Sequence, residues 1–288
     1  MPSTLRADLH VTDLIPIVTP KPLPFGIPQT WSHMASTLIS GEKEAMLIDP
    51  PLTINQGHEL AAWVKGVLGD KKLTIIYITH GHGDHYFALG PLLEHFPEAK
   101  AYATKATMEL MKGQVEPEFF ASWWEASFPK QLHQPVGLVQ QLDGTRFTLE
   151  GHVIDIVEAG HSDTDHSTFV HIPDLSMVVA GDICYNELHQ WLVESTDEAS
   201  RNAWIAALEK IAALKPSTVI ASHKRPGAVD GINNVYSTIE YIKTFGELKA
   251  ESKDAPELFQ KMVARYPQRI NPIILWLGCQ SNFSESVY

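Results

Sequence analysis

Four side chains able to bind a metal fall within six residues, His80, His82, Asp84 and His85, in the stretch Thr79-His80-Gly81-His82-Gly83-Asp84-His85. Neutral imidazole and carboxylate are the ligands of zinc and its first-row neighbours. The spacing cannot be one face of a helix, because residues two apart do not face each other there. The two glycines let the backbone fold tightly around whatever the ligands hold. The cluster therefore belongs on a loop. A solvated, inert turn is the plain alternative, and it loses ground because the chain offers further ligands in the same structural position.

That position is the end of a strand. Residues 73–78, a β-branched and aromatic run, read as a buried strand leading into His80. The runs 153–157, 177–180 and 219–221 lead in the same way to His161, Asp182 and His223. Strands side by side line up their ends along one edge of a sheet, where ligand sites form. A lone His or Asp after a strand is ordinarily a cap. Four such positions and the dense cluster point instead to one rim.

The elements that must position these residues are read from periodicity. Residues 35–40 and 45–48 form two strands around Gly41-Glu42-Lys43, and 11–30, with five prolines, form an extended edge and a loop. Helices are expected over 55–68, 88–96, 105–111, 198–214, 229–248 and 256–266, with Thr196 or Asp197 capping the fourth. A further short helix is expected at 273–277. Residues 137–141, 146–149 and 153–157 read as an antiparallel series with turns at Asp143-Gly144 and Glu150-Gly151. The stretch 114–137 is rich in aromatics, Phe119, Phe120, Trp123, Trp124 and Phe128, and reads either as a helical arm or lid or as a satellite core beneath a loop. No linker divides the chain, so a single domain over 1–288 is expected, with 228–288 as a helical C-terminal extension.

Composition narrows the function. The 288 residues are 44% hydrophobic and 19% charged, enough for a sizeable core, and the net charge is −12. That balance argues against nucleic acid or an anionic membrane as partner. Two cysteines, Cys184 and Cys279, make no disulfide framework, and no apolar run has the length of a membrane span. Without a signal-like N-terminus the expected location is the cytoplasm.

The pattern His80-Gly81-His82-Gly83-Asp84-His85, followed in order by Gly160-His161, Gly181-Asp182 and Ser222-His223, resembles the metallo-β-lactamase fold superfamily. Leu47-Ile48-Asp49-Pro50 resembles the family's strand-ending Asp, and the likeness runs over about 20–225. It implies an α/β fold, a four-layer αββα sandwich, with the metals at one edge. By that resemblance His80, His82 and His161 bind one metal, Asp84, His85 and His223 bind a second, and Asp182 bridges them. Two divalent ions are implied, zinc first, with manganese or iron as alternatives. A hydroxide shared by the ions would attack a carbonyl carbon. Asp84 would be a ligand or also a proton shuttle to the leaving atom. Tyr185, three residues after Asp182, resembles the carbonyl-holding tyrosine of N-acyl homoserine lactonases, or it merely packs. Asp163 and Asp49 would orient ligand imidazoles, His166 would be a cap or orienting group, and Cys184 a buried packing residue. His10, His33, His58, His95, His133, His152, His171 and His189 have no matching partner and should be surface or core.

The expected activity is hydrolysis of a small lactone or lactam. Trp123, Trp124, Tyr86, Phe87, Leu188 and Trp191 would supply an apolar pocket mouth, and the partner is a small-molecule substrate, with a homodimer as an option. A glyoxalase II-like thioesterase is the second reading, with Lys224 and Arg225 as its grip on substrate carboxylates. An iron-dependent oxidoreductase lacks its partner domain, a nuclease lacks positive charge, and a metal-free scaffold does not suit seven filled ligand positions.

Overall fold

The computed structural model describes residues 5–284. Six strands, β1 (Arg6–Val11), β2 (Ala35–Ser40), β3 (Glu44–Ile48), β4 (Lys72–Tyr77), β5 (Lys100–Ala103) and β6 (Val139–Gln141), form one sheet in that spatial order. The first two pairings are antiparallel and the other three parallel. Five more, β7 (Arg146–Leu149), β8 (His152–Gly160), β9 (Ser167–Ile172), β10 (Met177–Val179) and β11 (Thr218–Ile220), form the second sheet, in the order β11-β10-β9-β8-β7.

Alternation along the strands builds the layers. Ile39, Met46, Ile48 and Tyr77 from the first sheet meet Ile154, Ile156, Val170, Val179 and Ile220 from the second in an inner core. Their neighbours Leu38, Leu47, Ile76, Phe169, Val178 and Val219 belong to the other core, with the helices. These helices are α1 (Ile54–Leu68), α2 (Leu89–His95), α3 (Lys105–Gln114), α4 (Glu198–Ala213), α5 (Asn233–Ala250), α6 (Ala255–Arg265) and α7 (Pro272–Asn282). Leu60, Ala61 and Val64 of α1 and Trp204, Leu208 and Ile211 of α4 lie in it. The four-layer αββα sandwich is thus the observed fold.

Two helices carry the caps their sequences advertise. Thr53 and Gln56 form a reciprocal box at α1, and Asp197 and Ser200 do so at α4. Asp197 rather than Thr196 is the cap.

Of the antiparallel series expected over 137–157, the pairing of 146–149 with 153–157 about Glu150-Gly151 is formed, and that of 137–141 with 146–149 is not. Val139–Gln141 pairs in parallel with Lys100–Ala103 in the first sheet, whereas Arg146–Leu149 pairs with β8 in the second. Asp143-Gly144 therefore lies in a crossover between sheets. The first described residues also form an edge strand, β1, along β2, and Ile15–Pro16 pairs with Thr30–Trp31. Within 114–137, Pro117–Phe119 is helical and runs into a π-helical turn at Phe120–Glu125.

Candidate metal centre and cavity

The C-terminal ends of β3 and β4 share one edge of the first sheet and those of β8, β10 and β11 one edge of the second, and hydrogen bonds from Thr168 to Thr79 and from Ser222 to Asp49 bring the two edges together. Asp49, His80, His161, Asp182 and His223 follow those ends. Asp49 is the hub. Its Oδ1 accepts from the Thr79 amide at 2.8 Å, its Oδ2 accepts from the hydroxyls of Thr79 at 2.7 Å and Ser222 at 3.2 Å, and His85 Nδ1 lies 3.3 Å from Oδ2. The residue sits at φ +55°, a conformation Asp tolerates better than most side chains. Gly83 is needed for close approach: a Cβ there would lie 2.6 Å from the Phe87 ring and 2.9 Å from Trp124.

Each imidazole of the motif is anchored through one nitrogen and presents the other inward. His80 Nδ1 is held by the Thr79 hydroxyl at 3.0 Å and His85 Nδ1 by Asp49. His223 Nδ1 lies 2.8 Å from the His33 carbonyl, and His82 Nε2 lies 2.7 Å from Glu194. The free nitrogens converge on carboxylates. His80 Nε2 lies 3.5 Å and His82 Nδ1 2.8 Å from Asp163 Oδ2. His85 Nε2 is 3.4 Å from Asp182 Oδ1, and His223 Nε2 is 3.2 Å from Asp182 Oδ2 and 3.4 Å from Asp84 Oδ2.

Two ligand-like groups result: His80, His82 and Asp163, and Asp84, His85 and His223. Asp182 sends one oxygen toward His85 and the other toward His223. His161 stands apart from both groups. Its Nδ1 meets Asp165 at 2.7 Å and its Nε2 meets the Ser195 hydroxyl at 2.9 Å.

The donors fit divalent cations. His80 Nε2, His85 Nε2 and Asp182 Oδ1 are buried with no hydrogen-bond partner, their contacts of 3.4–3.5 Å lacking hydrogen-bond geometry, and Asp163 Oδ2 is buried against His82 Nδ1 at 2.8 Å. Buried polar atoms are rarely left so. The field of the pocket is negative. Burial opposes charging of His82, yet Glu194 and Asp163 outweigh it and hold its pKa well above the ordinary value. Burial likewise opposes charging of His223, which Asp182 and Asp84 push up to about 10. Burial would raise the pKa of the Asp182 carboxyl, but His223 and His85 hold it well below its usual range. His80 is the exception, shifted down by burial and by His85.

Above the cluster lies a cavity of about 290 Å³. His82, Asp84, Asp182, Tyr185, Glu194 and His223 line its polar end. Four indoles wall the rest in a closed ring, Trp31, Trp124, Trp123 and Trp191, with neighbouring centroids 6.1–6.3 Å apart and tilted edge to face. Trp31 Nε1 donates to Asp84 Oδ2 at 3.1 Å, and Trp124 Nε1 to Gln114 at 3.0 Å. Phe119, Trp123 and Trp124 of the 114–137 segment thus border the cavity, while Phe120 and Phe128 are buried in the core. Tyr86, Phe87 and Leu188 are buried away from it. Glu194 and Trp31 were not singled out by sequence: neither follows a ligand motif, and Glu194 lies 112 positions from His82.

Of the unmatched histidines, His58 and His95 meet on the surface and His189 is buried against Tyr241. Cys184 is buried, as expected of a packing residue, and burial pushes its thiol up to about 12. No helix among the described residues is long and apolar enough to cross a membrane.

Comparison with known proteins agrees with this geometry. A metallo-beta-lactamase family protein from Thermus thermophilus superposes with TM-score 0.64 at 17% identity, covering 95% of this chain and 91% of that one. A metallo-beta-lactamase from Pontibacter korlensis gives 0.58 at 17%, covering 82% and 99%. These likenesses concern the fold. Ribonuclease J of Pyrococcus abyssi (strain GE5 / Orsay) is 29% identical over 123 residues, 42% of this chain and 25% of that protein, so the match spans a quarter of its length. The model of the metallo-beta-lactamase superfamily matches residues 30–223, more than half of the chain. With the sandwich and the rim of imidazoles and carboxylates already in place, that match settles the relationship: the chain belongs to the metallo-beta-lactamase superfamily.

Proposed function

We propose that the protein is a divalent-metal-dependent hydrolase of a small, neutral, largely apolar ester or amide, a lactone or lactam foremost. The carrying observation is the indole-walled cavity closing directly on the carboxylate and imidazole cluster. Such a wall excludes water and takes a flat apolar ring. His80, His82, Asp84, His85, Asp163, Asp182 and His223 would hold the cations. A bound divalent ion would supply Lewis acidity toward a carbonyl and lower the pKa of water.

The chain's own groups do the rest. Asp84 borders the cavity and is fixed by the Trp31 indole N–H, so one carboxylate oxygen is aimed where it can carry a proton to a leaving atom. Tyr185 borders the cavity with its hydroxyl donating to Asp182 Oδ2, and on this reading that one proton turns from Asp182 to the negative charge developing on the substrate.

The thioesterase reading loses its grip residues. Lys224 is buried and paired with Asp230, and Arg225 pairs with Glu187 at 2.6 Å and with the Gln268 carbonyl. Neither borders the cavity. Rates on lactones, lactams and thioesters, measured side by side on metal-loaded enzyme, test the proposal. Thioester turnover far above the cyclic substrates would reject it.

A further inference from the structure

The loop after β8 carries two potential metal ligands two residues apart, and only the second of them, Asp163, faces the cluster. His161 is turned to the loop's outer side, where both ring nitrogens are engaged, by Asp165 and by Ser195. Ser195 also donates to the Ser162 carbonyl at 3.1 Å, and the Ser162 amide donates to the Thr164 carbonyl at 2.9 Å, so the turn is tied down on both sides. Asp163 takes the inward position and is fully buried. Its Oδ1 accepts from the Ser162 hydroxyl at 2.7 Å. Its Oδ2 faces the inward nitrogens of His82 at 2.8 Å and of His80 at 3.5 Å.

We propose that Asp163, and not His161, is the third protein ligand of the cation held by His80 and His82. Each position is then built from two imidazoles and at least one carboxylate. The assignment rests on the metal-dependent reading above and sharpens it.

Charge explains what the exchange does. Asp84, Asp163 and Asp182 are three buried carboxylates, and burying them together is costly unless cations compensate. Two divalent ions exceed these three ligand carboxylates by a single positive charge, before Asp49 and Glu194 beside the ligand imidazoles are counted. With His161 as ligand in place of Asp163 the centre would be one unit more positive. The less positive centre attracts anions less and suits a neutral carbonyl compound. An oxygen donor at each position is also harder than an all-imidazole set, which favours tolerance of manganese or cobalt beside zinc.

The experiment compares wild type, Asp163→Asn and His161→Ala, full chain, each loaded with Zn²⁺ or Co²⁺, dialysed, and assayed by elemental analysis and Co²⁺ absorption. Asp163→Asn keeps the shape and the Ser162 contact but loses the charge. It should fall from two ions per chain to one, with affinity at that position down by at least about a hundredfold, beyond what loss of a ligand's supporting partner costs. His161→Ala should hold two ions with an unchanged Co²⁺ spectrum. Loss of an ion from His161→Ala, or two tightly held ions in Asp163→Asn, overturns the assignment while leaving the hydrolase reading intact. If Asp163→Asn fails to fold, His161→Ala alone decides: two ions support the proposal and one overturns it. A wild-type chain that takes up no cation overturns the assignment and the hydrolase reading together.

Discussion

The Tyr185 hydroxyl donates to Asp182 Oδ2 at 2.8 Å, and its ring stacks on His223 with centroids 5.7 Å apart. One phenol therefore touches two members of the cluster while bordering the cavity. Tyr185→Phe keeps the ring and removes the donor. We expect kcat to fall on the order of ten- to a thousandfold with metal content unchanged. Unchanged kcat and kcat/KM in a fully metallated variant would show that the ring only packs. Loss of metal would show that the hydroxyl serves the Asp182 carboxylate rather than the substrate.

Asp182 spreads its two oxygens, Oδ1 toward His85 and Oδ2 toward His223. Asp182→Ala leaves two inward imidazoles without their shared carboxylate. Turnover should be abolished and both cations weakened, read by elemental analysis against the two ions per chain expected of wild type. Near-normal kcat and metal content in the variant would remove Asp182 from the bridging role.

The motif His80 to His85 was legible because its spacing admits no regular element, and Asp182 and His223 because each follows an apolar strand. Residue spacing could not say which of His161 and Asp163 turns inward. That is decided by Ser162 and Ser195 fastening the loop, and Ser195 is distant in sequence. Nor could it give Glu194, which reaches His82 across the fold. The pairing expected at Asp143-Gly144 failed for the same reason, while that at Glu150-Gly151 held. Asp143-Gly144 carries a hairpin signal, but the place of Val139–Gln141 beside Lys100–Ala103 is set by packing of whole sheets rather than by the turn. The helices were easier, since their apolar spacing and caps are local.

Trp123 tests the indole wall with little risk to the core. It is half-buried, borders the cavity, and lies 6.1 Å from Trp191 and 6.2 Å from Trp124 between ring centroids. Trp123→Ala should raise KM for an apolar lactone about tenfold, as expected for losing roughly 1.5 kcal/mol of aromatic burial. Little change in kcat and a melting temperature within a few degrees of wild type should accompany it. An unchanged KM across the substrate panel would show that the ring does not meet the substrate.

Acid stability should depend on a histidine remote from the metal cluster. His189 is buried, its Nδ1 2.8 Å from the Tyr241 hydroxyl. Burial, and then the Arg269 guanidinium, depress its pKa from 6.5 to about 3. The unfolded chain binds the proton first, so the contribution of neutral His189 is fully present above pH 6.5 and is lost as pH falls toward 3. Full protonation costs on the order of 4–5 kcal/mol, of which about 3 kcal/mol is already gone at pH 4. His189→Gln keeps a hydrogen-bonding group for Tyr241 but does not titrate. It should be less stable than wild type at pH 7, by roughly 1–3 kcal/mol for altered packing and hydrogen bonding, yet lose less stability between pH 7 and pH 4. Urea unfolding of both proteins at the two pH values measures the difference. Parallel losses in the two proteins would show that His189 does not control the acid limb.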